Sequence, residues 1–321
     1  MTTAVQHDAA TLTPPMDAAS SSSAPVPPRS AGGAAATRLL VGLIGAGIQR
    51  SLTPAMHEAE AAAHGLRLHY QLIDLDRSGA GIELLPTLIT AARAMGFAGL
   101  NITFPCKQAV IPLLDELSPE ARAMGAVNTV VNRGGRLIGH NTDGSGWAWG
   151  FRRALPQADL SRVVLLGAGG AGSAIAHAVL RLGAQRLLIV DREAERATAA
   201  AAALNAQYGG ARVSGVGDAA EALAGATGLI HATPTGMDKL PGLPLAEDLL
   251  RPDLWVAEIV YFPLETALLK AARARGCATV DGGTMAVGQA IGAFELFTGL
   301  EADAARVEAH FRRLIAERAS A

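Results

Sequence analysis

Cysteine is nearly missing: Cys106 and Cys277 are the two in 321 residues. That excludes a disulfide framework, and their spacing excludes a cysteine-based metal motif. Both read as reduced thiols of a cytosolic protein. An excess of charge of one sign is missing as well. Lys and Arg number 27 against 29 Asp and Glu, and no like-charged block stands out. Nothing points to nucleic acid or to an anionic membrane surface as a partner. The N-terminus lacks a basic-then-apolar leader, so the expected compartment is cytoplasmic. A bilayer-spanning run is not expected either. The longest apolar stretch, Val163 to Leu180, contains Gly167, Gly169, Gly170, Gly172 and His177, which fits a buried strand and helix.

What is there begins with that same stretch. Val163 to Leu166 is β-branched and aliphatic, Gly167-Ala168-Gly169-Gly170-Ala171-Gly172 is a G-x-G-x-x-G turn, and an apolar helix follows. The first glycine permits the turn, the second lets backbone approach a pyrophosphate, and the third lets helix and strand pack closely. The helix N-terminus offers unpaired N–H groups to phosphate. A second aliphatic run ends at Asp191, about twenty residues past the turn, where an acid bonds ribose hydroxyls. A ligand-free βα turn would share the glycines but has no need of that ordered set.

Half of the residues are apolar, enough at this length for two domains. Residues 1–37 are mostly Ala, Ser, Thr and Pro and are expected to be a disordered tail. Strand and helix patterns alternate from Arg38 onward. The fold class expected is α/β: an N-terminal substrate domain over 38–145, a Rossmann-type dinucleotide-binding domain over 146–284, and C-terminal helices over 285–321 returning to the first. The last helices, about Met285 to Phe297 and Asp303 to Arg318, read as amphipathic. A cleft between α/β domains is a preferred ligand site.

Several polar residues fall at strand ends, where open α/β sheets bind ligands. Lys107 follows Asn101-Ile-Thr103-Phe-Pro105, and Asp143 follows Gly139-His-Asn141-Thr142. A lysine beside a carboxylate can relay a proton; the plain alternatives are a solvent lysine and a capping aspartate. Ser51 and Thr53 put two hydroxyls in a turn, suited to a carboxylate or to capping the helix that Pro54 starts. Thr233 and Pro234 lie in a polar turn after a strand, facing the nicotinamide or simply turning the chain. Gln289 sits early on a helix, reaching into the cleft or out to solvent. His57 and His64 are too far apart for an i, i+4 pair and lack suitable acidic partners, so no metal site is expected. His140 beside Asp143 has no nucleophile elbow, which excludes a Ser–His–Asp reading.

Taken in order from about Leu39 to the C-terminus, these motifs resemble the shikimate dehydrogenase family, and most of all its quinate/shikimate dehydrogenase branch. The motifs are Ser51-Leu-Thr53-Pro54-Ala-Met-His57, Asn101-Ile-Thr103-Phe-Pro105-Cys-Lys107, Gly125-Ala-Val-Asn128-Thr, Asn141-Thr142-Asp143-Gly144, Gly167 to Gly172, Ala232-Thr233-Pro234 and Met285 to Gln289. The resemblance implies that Ser51 and Thr53 bind a substrate carboxylate. It implies that Thr103, Asn128, Asp143 and Gln289 hold ring hydroxyls and that Lys107 and Asp143 are the catalytic pair. The cofactor would meet Gly167 to Gly172, Asp191, Arg192, Arg196, Thr233, Pro234, Val260, Gly282 and Met285. Thr53 stands where strictly biosynthetic members have serine, which is similar to members that accept quinate. Val190-Asp191-Arg192-Glu193 stands where NADP users carry an Asn-Arg-Thr-type run whose Arg grips the 2′-phosphate; Asp191 repels a 2′-phosphate and accepts from a 2′-hydroxyl. The implied activity is NAD-dependent interconversion of shikimate or quinate with the 3-dehydro ketones, with weaker NADP use, as a monomer or homodimer. A strictly NADP-dependent biosynthetic enzyme and a non-catalytic dinucleotide sensor are the alternatives.

Overall fold

The computed structural model describes residues 37–79 and 81–319; the tail expected over 1–37 lies outside them except for Thr37. The strands of the first half are β1 (Arg38–Gly45), β2 (Arg67–Asp74), β3 (Gly99–Ile102), β4 (Glu116–Leu117), β5 (Thr129–Arg133) and β6 (Arg136–His140). Those of the second are β7 (Arg162–Leu166), β8 (Arg186–Val190), β9 (Val213–Val216), β10 (Gly228–His231), β11 (Trp255–Glu258) and β12 (Thr279–Val280). Among the described residues they form two six-stranded sheets, ordered β2-β1-β3-β5-β6-β4 and β12-β11-β10-β7-β8-β9.

The second sheet is parallel throughout. Its order is that of a doubly wound dinucleotide fold, whose switch point falls between β7 and β10. Both faces are covered, which explains why β7 reads as continuously apolar. Val163 and Leu165 pack into one core with Ile175 and Leu187. Val164 and Leu166 pack into another with Leu223 and Leu268. The first sheet mixes directions: β1, β2 and β3 run parallel, whereas β5 is antiparallel to β3 and β6. The β5–β6 hairpin turns through Gly134 and Gly135, both at positive φ, as a two-residue connection demands.

The helix Asp143–Ala154 crosses the boundary expected at residue 145. Its C-terminal part is anchored on the second sheet: Trp147 stacks on Phe151 at 4.8 Å, and Phe151 meets Trp255 edge-on at 4.9 Å. The helix Gly283–Thr298 lies across it in backbone contact. A Cβ on Gly146 would sit 2.6 Å from Gln289 N, and one on Gly288 would sit 2.4 Å from Gly146 O. These glycines let the helices touch and fix Gln289 beside the start of the first helix. The helix Gly283–Thr298 buries most of its length, including Val287, Ile291, Phe294 and Phe297. It is therefore a core helix rather than the amphipathic one expected. The final helix, Ala304–Ala319, returns to the helix Thr53–Ala63. Arg306 Nε and Nη2 each reach buried Glu60 at 2.7 Å, and the Asp303 N–H also donates to it. Burial pushes the Glu60 carboxyl up, and these donors outweigh it, holding the group below its ordinary value.

Candidate active site

A cleft of about 660 Å³ runs between the carboxyl ends of the two sheets. On the first-sheet side its rim begins with the loop after β1. Asp74, at the end of β2, accepts from Gly47 N at 3.0 Å and from Gln49 Nε2 at 3.0 Å, which shapes that loop. Burial raises the Asp74 carboxyl, but its donors outweigh burial and keep it low. Ser51 and Thr53 both line the cleft. The helix starts at Thr53 with Leu52 in the cap position, so Thr53 does not cap it as expected. Its N–H donates to Ser51 Oγ at 3.3 Å instead, and the Ser51 hydroxyl donates to Thr53 Oγ1 at 3.0 Å. One Thr53 lone pair and its proton stay available for a ligand.

Lys107 sits in the short helix Cys106–Ala109 just past β3, and Thr103 lines the same wall. Lys107 Nζ lies 2.6 Å from Asp143 Oδ2. Asp143 is the first residue of its helix, and its backbone N–H is taken by Asn141 Oδ1 at 2.9 Å. Its carboxylate therefore points into the cleft rather than capping. The Asp143 side chain is 3% exposed and that of Lys107 26%, so Lys107 is not a solvent lysine. Asp143 Oδ1 also accepts from Gln289 Nε2 at 2.6 Å and Asn128 Nδ2 at 2.9 Å. Gln289 is thus no surface glutamine. Three donors on one nearly buried carboxylate satisfy the charge. Four residues from four places in the chain meet within hydrogen-bond distance.

The opposite wall belongs to the second sheet. Gly167 has φ +99, and a Cβ on it would meet Ala232 O at 2.7 Å across the switch point. A Cβ on Gly172 would come within 2.0 Å of Gly167 O. Gly169 and Gly170 have nothing within 4 Å of a Cβ and are exposed. Fold packing thus requires the first and third glycines, whereas the second is bare where a pyrophosphate would approach. The helix Gly170–Arg181 starts there, with Ala171 in its first turn. Asp191 Oδ2 accepts from Ala168 N at 2.8 Å and Oδ1 from Glu193 N at 3.0 Å. Burial raises the Asp191 carboxyl, but these N–H groups with Arg196 and Arg192 hold it below its ordinary value. Arg196 Nη2 is paired to Glu193 at 2.6 Å, and Arg192 is exposed. These residues fit a dinucleotide.

Thr233, Pro234 and Val260 line the cleft at the ends of β10 and β11. Gly282 packs against them, its Cβ position 2.5 Å from Val260 O. Met285 is 6% exposed and belongs to the apolar core with Trp147 and Ile230.

The most telling residues beyond the sequence-level candidates are buried and polar. His231 and Glu258 face each other across β10 and β11, both side chains 0% exposed. His231 Nδ1 is 2.8 Å from Glu258 Oε1, and its Nε2 is 2.5 Å from Thr233 Oγ1. Glu258 further accepts the Val260 N–H at 3.0 Å. A histidine and an acid ending two short strands were visible in sequence, but their pairing needs the sheet order. Tyr70, Asn101, Thr129 and Thr142 form a second polar cluster, behind Asn128.

Two parallel-rich α/β layers, a glycine turn at the switch point and an amine–carboxylate pair across the gap define a dinucleotide-dependent oxidoreductase. A family model described as the shikimate dehydrogenase substrate binding domain matches residues 43–130. The shikimate dehydrogenase (NADP(+)) of Streptomyces avermitilis is 58% identical over 86% of this chain and 95% of its own length. The quinate/shikimate dehydrogenase (NAD(+)) of Corynebacterium glutamicum strain R is 49% identical over 86% and 99%. The solved quinate dehydrogenase from Corynebacterium glutamicum in complex with NAD superposes with a TM-score of 0.83 at 48% identity, covering 86% of this chain and 99% of that one. The chain belongs to the shikimate dehydrogenase family. It is an oxidoreductase acting on CH–OH groups of a small-molecule substrate with a nicotinamide dinucleotide.

Proposed function

We propose that the protein interconverts shikimate and quinate with their 3-dehydro ketones, and that it prefers NAD. The observation that carries this reading is the 2.6 Å contact of Lys107 with Asp143 inside the cleft. Lys107 exchanges the proton of the reacting hydroxyl, and Asp143 orients both lysine and substrate. Alcohol oxidation needs the unprotonated amine as base, and ketone reduction needs the ammonium as acid. Ser51 and Thr53 take the substrate carboxylate; Thr103, Asn128 and Gln289 take ring hydroxyls, Asn128 by giving up Thr142. A nicotinamide held near Thr233, Val260, Gly282 and Met285 supplies the hydride acceptor. Gly167, Ala168, Gly169, Gly170, Ala171 and Gly172 hold its phosphates. The residues are close enough for orientation to contribute much of the rate.

The relatives divide between NADP-dependent and NAD-dependent enzymes by name, so cofactor choice rests on this chain's Asp191, with Arg192 and Arg196 beside the adenosine ribose. An ionised carboxylate there accepts from a 2′-hydroxyl and repels a 2′-phosphate. The test of the catalytic pair is Lys107→Met, with shikimate binding measured separately by calorimetry. Turnover should fall by 10²-fold or more, with binding reduced far less; wild-type turnover would remove lysine from the mechanism.

A further inference from the structure

The polar cluster behind the catalytic carboxylate has one direction only, and a single backbone group sets it. The Thr142 N–H donates to Asn128 Oδ1 at 2.8 Å. A backbone N–H can only donate, so this contact fixes which end of the Asn128 amide is oxygen. The Thr129 hydroxyl, 2.9 Å from that same oxygen, must then donate to it. Having spent its proton, Thr129 Oγ1 accepts from Asn101 Nδ2 at 3.0 Å. The second Asn101 Nδ2 hydrogen goes to Asn128 O at 3.3 Å. Asn101 Oδ1 therefore accepts, and the Tyr70 hydroxyl donates to it at 2.6 Å. At the other end, Asn128 Nδ2 donates to Thr142 Oγ1 and to Asp143 Oδ1, both at 2.9 Å.

Hydrogens from Tyr70, Asn101, Thr129 and Asn128 run in series toward Asp143, while the Thr142 N–H and hydroxyl approach Asn128 Oδ1 from the other side at 2.8 and 3.3 Å. The sheet register makes it possible: Asn101 and Thr129 are directly opposed on β3 and β5, so their side chains share a face. Thr129 is 0% exposed, Tyr70 4% and Asn128 7%, while Asn101 is half-buried at the cleft wall. Burial pushes the Tyr70 phenol well above its ordinary value, which keeps it a donor. Buried hydrogen bonds in series polarise one another.

We infer that Thr129, backed by Asn101 and Tyr70, is a positioning residue for the reaction: it holds the Asn128 amide so that its N–H donates to Asp143 and turns that carboxylate onto Lys107. The inference rests on the catalytic pair proposed above, but it also makes a claim about the protein without substrate. Losing the Thr129 hydroxyl frees one Asn128 lone pair, lets the amide swing, and loosens Asp143 from the Lys107 amine.

The experiment uses the full chain and three variants, Thr129→Val, Thr129→Ser and Tyr70→Phe. Steady-state rates of shikimate oxidation give kcat and KM. Labelling of the free enzyme with trinitrobenzenesulfonate at one fixed pH, followed by peptide mapping, gives Lys107 reactivity, with Lys239 and Lys270 as internal references. Thr129→Val should lower kcat at least ten-fold, with a smaller rise in KM because Asn128 also takes a ring hydroxyl, and Lys107 should label several-fold faster. Thr129→Ser should restore both values, and Tyr70→Phe, a milder cut at the far end, should move both in the Val direction. Unchanged Lys107 labelling in folded Thr129→Val and Tyr70→Phe, or a Ser variant as impaired as Val, overturns the inference. A wild-type enzyme inert on shikimate and quinate overturns the proposed function instead, while the labelling comparison still decides the role of Thr129.

Discussion

Removing the charge of Asp191 should change which cofactor the enzyme prefers, by an amount the structure bounds. The Asp191 side chain is 9% exposed, is held ionised, and has already accepted the Ala168 and Glu193 N–H groups. A ribose 2′-hydroxyl can donate to a remaining lone pair. A 2′-phosphate brings negative charge to the same place, and two unit charges 4 Å apart repel by about 4 kcal/mol at an effective dielectric of about 20. Arg196 Nη1, 3.5 Å from Asp191, and Arg192 cancel part of that. A net penalty of about 2–3 kcal/mol remains, or roughly 30- to 150-fold in relative efficiency. Asp191→Asn keeps an acceptor for Ala168 and removes the charge, so the NAD to NADP ratio of kcat/KM should fall by that factor. Asp191→Ala should show the same swing with NAD itself weakened about ten-fold, the loss of a hydrogen bond to a charged group. The assay is initial rate against each cofactor at saturating shikimate. A ratio unchanged in Asp191→Asn would refute the idea that this carboxylate reads the ribose.

Two further outcomes follow from burial and packing. Burial holds the His57 imidazole down at about 3, and neither ring nitrogen has a partner among the described residues. The unfolded chain takes up this proton near pH 6.5 while the folded one does not, so the stability this group contributes is full above pH 6.5 and is lost as pH falls toward 3. At about 1.4 kcal/mol per pH unit, cooling-free urea unfolding at pH 5 should show about 2 kcal/mol less loss, relative to pH 7, in His57→Phe than in wild type; equal losses would mean the buried ring is protonated or bonded. Among the motif glycines, Gly172→Ala should lower Tm, because its Cβ meets Gly167 O at 2.0 Å, an overpacking cost of about 1–3 kcal/mol. Gly169→Ala, with open space around it, should leave Tm unchanged and weaken NAD binding measured by fluorescence; the reverse pattern would contradict the assigned glycine roles.

How much could be read in advance follows from how local each signal is. The glycine turn and Asp191 lie on one βαβ unit, so spacing alone relates them. The contact of Lys107 with Asp143 spans 36 positions, and it became legible only through the joint order of the motifs. Nothing local marks His231 with Glu258, or Asn101 with Thr129, because each pair is created by strand register. The helix Gly283–Thr298 reads as amphipathic in sequence, yet it is buried along most of its length. In the structure Gly288 is where another helix backbone sits, and the glycine is what buries that side. The helix Thr53–Ala63 starts one residue before Pro54, and the neighbouring Ser51 hydroxyl is the acceptor for the Thr53 N–H.

The most direct measurement is a four-way comparison of initial rates: shikimate and quinate, each with NAD and with NADP. Nicotinamide reduction with the ring acids, more efficient with NAD than with NADP, is the expected result. No reduction with either acid and either cofactor would contradict the assignment of Lys107 and Asp143 to a cyclic polyol.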